Sequence, residues 1–282
     1  MQSSTTRRGF FASPAAALTA ATASAATIPY KHNYGDLKLA VATYSLRKFS
    51  RDQAIDIIRS LGVKYVNVKS FHLPYELSPA ELKEARAQFE RAGLEIVAGG
   101  NVGLGKDDEE YVKKHIEYCH NAGIKVMVCA PTHKNLGYVE KYAKQYNVKV
   151  AIHNHGPEDK YYPAPSDVLK LVKNMDPIMG LCVDVGHTVR TGADVLEEIK
   201  MAGDRLYDLH VKDLKDLKDK DSQCSVGQGV IPIPAIFALL KKMNYQGAVG
   251  LEYEINADHP QRGMAESFSY MRGVLDGQRT HS

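Results

Sequence analysis

Eight apolar runs alternating with eight amphipathic stretches predict an α/β protein folded as a closed (βα)8 barrel of the TIM type. The chain has 282 residues, and one such barrel typically needs about 250. The runner-up, an open doubly wound sheet, usually carries a glycine-rich phosphate loop after its first strand. The first turn here reads Tyr44-Ser45-Leu46-Arg47 and has no such loop. One barrel domain, residues 27–282, is expected after a leader at residues 1–26, with neither a second domain nor a short-period repeat.

The elements follow in order. The first run is Leu37 to Thr43. The helix after it, Asp52 to Leu61, sets Ala54, Ile55, Ile57, Ile58 and Leu61 at helical spacing and ends at Gly62. The second run is Lys64 to Val68. Its helix opens at Ser78-Pro79, where serine caps and proline fits the first turn, and closes at Gly93. The third run is Leu94 to Ala98, with a helix from Asp107 to Ala122. The fourth is Ile124 to Ala130, with a helix from Leu136 to Tyr146. The fifth, Val148 to Ile152, precedes a helix beginning near Ser166. The sixth, Met179 to Val183, precedes a helix from Ala193 to Ala202. The seventh, Leu206 to Leu209, precedes one from Pro234 to Met243. The eighth is Ala248 to Leu251, and a last helix runs from Gly263 to Leu275.

The composition is 44% hydrophobic, enough for a sizeable core, and the formal net charge is +3. That mild, interspersed charge gives no reason to expect a nucleic-acid partner. The run Lys212 to Asp221 alternates in sign and reads as a solvated loop. The first 26 residues hold Arg7-Arg8-Gly9-Phe10-Phe11, a small-residue stretch, and Ala23-Ser24-Ala25. Together these make an export signal, and the paired arginines resemble the twin-arginine (Tat) type, which points to the bacterial periplasm. The stretch is too short and too rich in Ala and Thr to span a bilayer, and no membrane segment is expected in the mature chain. Tat substrates cross the membrane already folded. Cys119, Cys129, Cys182 and Cys224 show no C-x-x-C spacing and read as buried, reduced thiols.

Chemistry concentrates where the later runs end. VKVAIHNHG, GLCVDVGH, LYDLHVKD and VGLEYE place His153, Asp184, His210 and Glu252 at four successive strand ends. In such barrels the active site forms at the C-terminal ends of the strands. One histidine there is usually structural, but two imidazoles and two carboxylates on adjacent strands suit one divalent metal ion. The nitrogen ligands favour Mn, Zn or Co, with Mg also a candidate. Groups for proton transfer lie nearby. Glu254 stands two residues beyond Glu252, Lys212 beyond His210 and His155 beyond His153, each on its neighbour's face if the strand continues. Lys69 and His72 follow the second strand. A lysine near a divalent metal can titrate low and act as a base; the alternative for Lys69 and Lys212 is a surface ion pair. His115, His120, His133, His259 and His281 read as surface residues.

With Asp184-Val185-Gly186-His187, His210 and Glu252, nearly the whole mature chain resembles the xylose isomerase-like TIM-barrel superfamily, the sugar phosphate isomerase/epimerase group. The resemblance implies metal-ligand roles for Asp184, His210 and Glu252, and sugar binding by His187. His155 and His72, by their positions alone, are further substrate-side candidates, the alternative for His72 and Glu254 being a supporting or surface role. It implies a metal-stabilised enediolate, formed when a proton leaves the carbon beside a sugar carbonyl. Isomerisation, epimerisation and elimination share that first half. Ketose 3-epimerases of the group place a glutamate on the fifth strand, opposite the eighth-strand glutamate. Here that position is His153, which keeps a metal centre but removes the paired glutamates. An exported chain is expected to act on free sugars or glycosides, including elimination from 3-keto-glycosides. The resemblance also implies a homo-oligomer. Two other classes stay open: a non-catalytic sugar-binding barrel, and a phosphodiesterase resembling endonuclease IV. The latter needs an Asp-x-His pair after the seventh strand, and residues 213–229 contain no histidine.

Overall fold

The computed structural model describes Met1 and residues 37–279. The leader, apart from Met1, and His281 lie outside the described residues. Eight parallel strands close into a barrel: β1 (Lys38–Ala42), β2 (Tyr65–Val68), β3 (Glu95–Leu104), β4 (Val126–Pro131), β5 (Lys149–His153), β6 (Met179–Asp184), β7 (Leu206–Val211) and β8 (Ala248–Leu251). β1 pairs with β2 on one side and β8 on the other, so closure leaves no sheet edge. β6 and β8 are buried along their whole length, as expected of parallel strands covered on one face and packed inside on the other.

The helices are α1 (Arg51–Ser60), α2 (Pro79–Arg91), α3 (Glu109–Asn121), α4 (Leu136–Tyr146), α5 (Pro165–Val172), α6 (Val185–Arg190), α7 (Val195–Ala202), α8 (Ile233–Lys242) and α9 (Gln261–Gly277). Local chemistry sets their starts. Ser50 with Gln53, and Ser78 with Glu81, form reciprocal capping boxes at α1 and α2. Past α1 and α2 the chain turns at Gly62 and Gly93 with φ of +65° and +78°, a conformation open to glycine at no steric cost. Phe89, Phe237 and Phe268 are fully buried, each contributing roughly 1.5–3 kcal/mol through burial.

Three features depart from the sequence expectation. The third strand continues to Leu104, six residues past the expected end at Ala98. α6 follows β6 without a loop. A short antiparallel ribbon, Asp213–Leu214 against Gln223–Cys224, interrupts the segment expected to be a solvated loop. Residues 215–221 are exposed, but Lys212, Asp213 and Leu214 are buried. The Asp213 carboxylate accepts hydrogen bonds from the backbone N–H groups of Leu214, Gly227, Gly229 and Ile231, tying the segment down. No helix among the described residues is long and apolar enough to cross a membrane. All four cysteines are free and buried, as expected.

Candidate metal centre

His153 and Asp184 are the last residues of β5 and β6, His210 lies one residue from the end of β7, and Glu252 follows β8 directly. Each is 5% exposed or less. Strand pleating turns them into one space: Asp184 pairs in register with His210, and His210 with Gly250, two residues before Glu252. One ligating atom from each of the four lies within 4.8 Å of the other three. His153 Nε2 is 3.0 Å from His210 Nδ1 and 3.6 Å from Asp184 Oδ2, and His210 Nδ1 is 3.4 Å from Glu252 Oε2.

The backbone under these groups is fixed by side chains. Asp184 caps α6, its Oδ1 accepting the His187 N–H at 2.8 Å. Asn154 accepts the Asp184 N–H at 2.9 Å and donates to Thr188 Oγ1. β8 ends at Leu251; the Glu252 N–H still donates to the Val211 carbonyl of β7, and polar side chains take up backbone groups beyond it. Ser45 donates to the Leu251 carbonyl and accepts the Tyr253 N–H. Gln223 donates to the Glu252 carbonyl and accepts the Glu254 N–H, and Arg47 donates to the Glu254 carbonyl. Glu252 and Glu254 thus both reach Lys212.

Lys212 is 3% exposed and packed among carboxylates, its Nζ 3.1 Å from Asp184 Oδ2, 3.1 Å from Glu252 Oε2 and 2.6 Å from Glu254 Oε2. Desolvation opposes its charge, but the three carboxylates prevail and hold its pKa well above the usual lysine value. Lys212 is therefore neither a surface ion pair nor a low-titrating amine. Lys69 is the reverse case. Its half-buried side chain lies against the Tyr44 ring, Nζ 5.0 Å from the centroid, and desolvation lowers its pKa despite Glu252 and Glu254. Burial raises the Glu254 pKa, Lys212 only partly opposing it. Burial pushes His153 well below the ordinary histidine value and keeps it neutral.

Around the four, His155 Nε2 is 2.8 Å from Asn101 Nδ2, while its Nδ1 lies 3.2 Å from an Asp159 carboxylate oxygen without an aligned hydrogen bond, and its ring centroid is 4.4 Å from that of His153. His187 stands beside it, with Arg190 Nη1 3.3 Å from its Nδ1. His72 does not join this group. Its ring is fully buried, with Nε2 3.1 Å from the Phe49 carbonyl, so it supports the turn after β2 and offers nothing to a substrate. His120, His133 and His259 are exposed, while His115 is half-buried against Tyr75 and Tyr111.

Asn67 and Asp208, both fully buried, lie beneath the centre and were not singled out from sequence. Asn67 Nδ2 donates to Asp208 Oδ2 at 2.7 Å and lies 3.1 Å from His210 Nε2, so His210 turns Nδ1 toward His153 and Glu252. Asp208 stands two residues before His210, and that spacing was a legible sign that both point inward.

The donor set of two imidazoles and two carboxylates suits Zn, Mn or Co. Asp184 Oδ2 is buried, has an ion-pair approach to Lys212, and still lacks an aligned hydrogen-bond donor. An oxygen left so is what a cation would complete, and the residues fit a divalent ion. Cavities of about 510 and 720 Å³ open at the opposite end of the barrel, around Lys149, Tyr207 and Gln246. The four side chains gather at the C-terminal end, where barrel enzymes place their chemistry.

The profile of the family described as xylose isomerase-like TIM barrel matches residues 55–274. The chain is 25% identical over 189 residues to an inosose dehydratase of Bacillus anthracis, covering 52% of this chain and 62% of that protein. It is 26% identical over 180 residues to a 3-oxo-isoapionate decarboxylase of Pectobacterium atrosepticum, covering 58% and 63%. The matched region thus spans less than two thirds of these relatives. A solved structure of the IolI protein with a binding zinc atom superposes with a TM-score of 0.71 at 18% identity, covering 86% of this chain and 99% of that one.

Proposed function

We propose that this chain, which belongs to the xylose isomerase-like TIM barrel family, is a divalent-metal-dependent enzyme that removes the proton beside the carbonyl of a sugar or sugar derivative. The observation that carries this is the buried set His153, Asp184, His210 and Glu252 at four adjacent strand ends, next to a lysine of lowered pKa. Relatives named as a dehydratase and a decarboxylase, and a structural neighbour with zinc, support it.

These four residues would hold the ion, which when bound would polarise the carbonyl and stabilise the charge developing beside it. The remaining steps belong to the chain. Lys69, as a neutral amine, takes the C–H proton. His187, with Arg190 at its Nδ1, offers a hydrogen bond to a hydroxyl group through Nε2. Lys212 stays an ammonium and keeps Asp184 and Glu252 ionised. Glu254, with its raised pKa, returns a proton to carbon or delivers one to a leaving group.

One observation favours elimination over epimerisation. Epimerisation needs an acid or base on each face of the reacting carbon. The fifth-strand position carries neutral His153, and the neighbouring His155 has its Nε2 taken by Asn101 and its Nδ1 buried beside Asp159. The carboxylate Glu254 and the amines Lys69 and Lys212 all come from the loops after β8, β2 and β7. A one-sided arrangement suits loss of a β-substituent, such as water from a keto-polyol or the aglycone of a 3-keto-glycoside.

Elemental analysis of the purified protein, with NMR of C–H exchange in D2O on free ketoses, keto-inositols and 3-keto-glucosides, tests the proposal. A bound divalent ion and solvent exchange at the carbon beside the carbonyl are expected. A metal-free protein inert to every carbohydrate would sink it. We propose also that residues 1–26 direct export by the Tat route. Replacing Arg7 and Arg8 with lysine should then leave the protein in the cytoplasmic fraction; unchanged export would refute it.

A further inference from the structure

Cys182 stands two residues before Asp184 on β6, so both side chains enter the barrel, the cysteine one layer deeper. It pairs in register with His153. Its Sγ and one ring nitrogen each of His153 and His210 lie within 4.8 Å of one another, a bound that His153, Asp184, His210 and Glu252 also meet. Two donor sets therefore share two imidazoles. One adds carboxylates on the rim side. The other adds sulfur on the inner side. Ala98, Val128 and Ala151 pack against Cys182, and the Asp208 carboxylate, in register with Cys182, is held through one oxygen by Asn67. His153 is 2% exposed, and its Nδ1 has no hydrogen-bond partner. The ring is therefore not bound to one orientation through that nitrogen.

We infer that Cys182 gives the centre a second, inner position for a thiophilic divalent cation such as zinc or cadmium, held by His153, His210 and the Cys182 thiolate. The inference rests on the metal centre proposed above and concerns which ions it takes and where. Ligation releases the thiol proton to solvent and forms the metal–sulfur bond, so the inner set supplies one negative charge made on binding. The rim set supplies two charges that Lys212 already shares. Hard ions such as manganese stay with Asp184 and Glu252, whereas zinc and cadmium gain from sulfur. Because the histidines are shared, the two positions exclude each other, and an ion held inside is drawn away from Asp184 and Glu252.

X-ray absorption on the full chain loaded with one equivalent of zinc or of manganese reads this directly. A sulfur neighbour at about 2.3 Å is expected for zinc, with oxygen and nitrogen alone for manganese. In Cys182→Ser the sulfur shell should vanish. Zinc affinity should also fall roughly tenfold or more, the scale on which changes around a ligand set act, while manganese affinity holds. A zinc spectrum of nitrogen and oxygen alone overturns the inner position and leaves the rim centre standing. A sulfur shell that survives in Cys182→Ser overturns it too, since another cysteine then supplies it. A protein that takes up no ion overturns both readings. If Cys182→Ser does not fold, the two wild-type spectra still decide.

Discussion

The Lys212 ammonium lies 3.1 Å from the Asp184 carboxylate, inside the barrel mouth and almost free of solvent. It balances a group of carboxylates that a metal ion would balance more strongly. Removing one partner of a buried pair leaves uncompensated charge and typically costs about 3–5 kcal/mol. Lys212→Met is therefore expected to destabilise the metal-free protein by about that amount, and to cost much less when the ion is bound. Urea unfolding with chelator and with saturating manganese checks this. An equal loss in both conditions would mean that Lys212 does not share its carboxylates with an ion.

Lys69 differs because burial opposes its charge more than its neighbours support it. As a base it must be unprotonated, so kcat/KM should rise with pH and level off at a pKa below the ordinary 10.5. Lys69→Met should remove the rising limb and lower kcat/KM by roughly 10²–10⁴-fold. Lys69→Arg should not rescue it, because guanidinium stays protonated. A Met variant with the wild-type profile would assign the base elsewhere.

The strand ends were legible because their signals are local: a short apolar run, then one polar residue that an apolar strand has no use for. Those signals brought His153, Asp184, His210 and Glu252 to one place and also marked Lys69, Lys212 and Glu254. The supports were not legible because they join residues far apart in the chain. Asn67 meets Asp208 across 141 positions, and Ser45 meets Tyr253 across 208. No periodicity carries such pairings. α6 was different: an aspartate three residues before His187 is an N-cap pattern, and reading Asp184 as a ligand hid its second role as a cap. His72 lies three residues from Lys69, but the turn after β2 points it away, and sequence proximity misled.

His72 makes a prediction remote from the centre. Burial lowers its pKa from the ordinary 6.5. As pH falls below 6.5 the unfolded chain binds a proton that the folded chain refuses. Stability should therefore decline from pH 6.5 down to the lowered folded pKa, with a slope of up to about 1.4 kcal/mol per pH unit. His72→Gln should flatten that part of the curve. Unfolding free energies measured across pH 5–7 for both proteins decide, and parallel curves would exclude His72 as the source.

Gln223 links the ribbon after β7 to the carboxylates after β8 through two backbone hydrogen bonds, at 2.8 Å to the Glu252 carbonyl and 3.0 Å from the Glu254 N–H. Gln223→Ala would leave both groups unpaired in a buried setting, at a cost of about 1–3 kcal/mol. A purely structural role would stop there. If the amide also sets the direction of Glu252 and Glu254, metal affinity should fall by roughly 10–100-fold, as for other groups that orient ligands. Gln223→Glu should recover little, since its carboxylate can accept from the Glu254 N–H but cannot donate to the Glu252 carbonyl. Metal titration beside thermal unfolding separates the two roles. Lost stability with unchanged metal affinity would confine Gln223 to the scaffold.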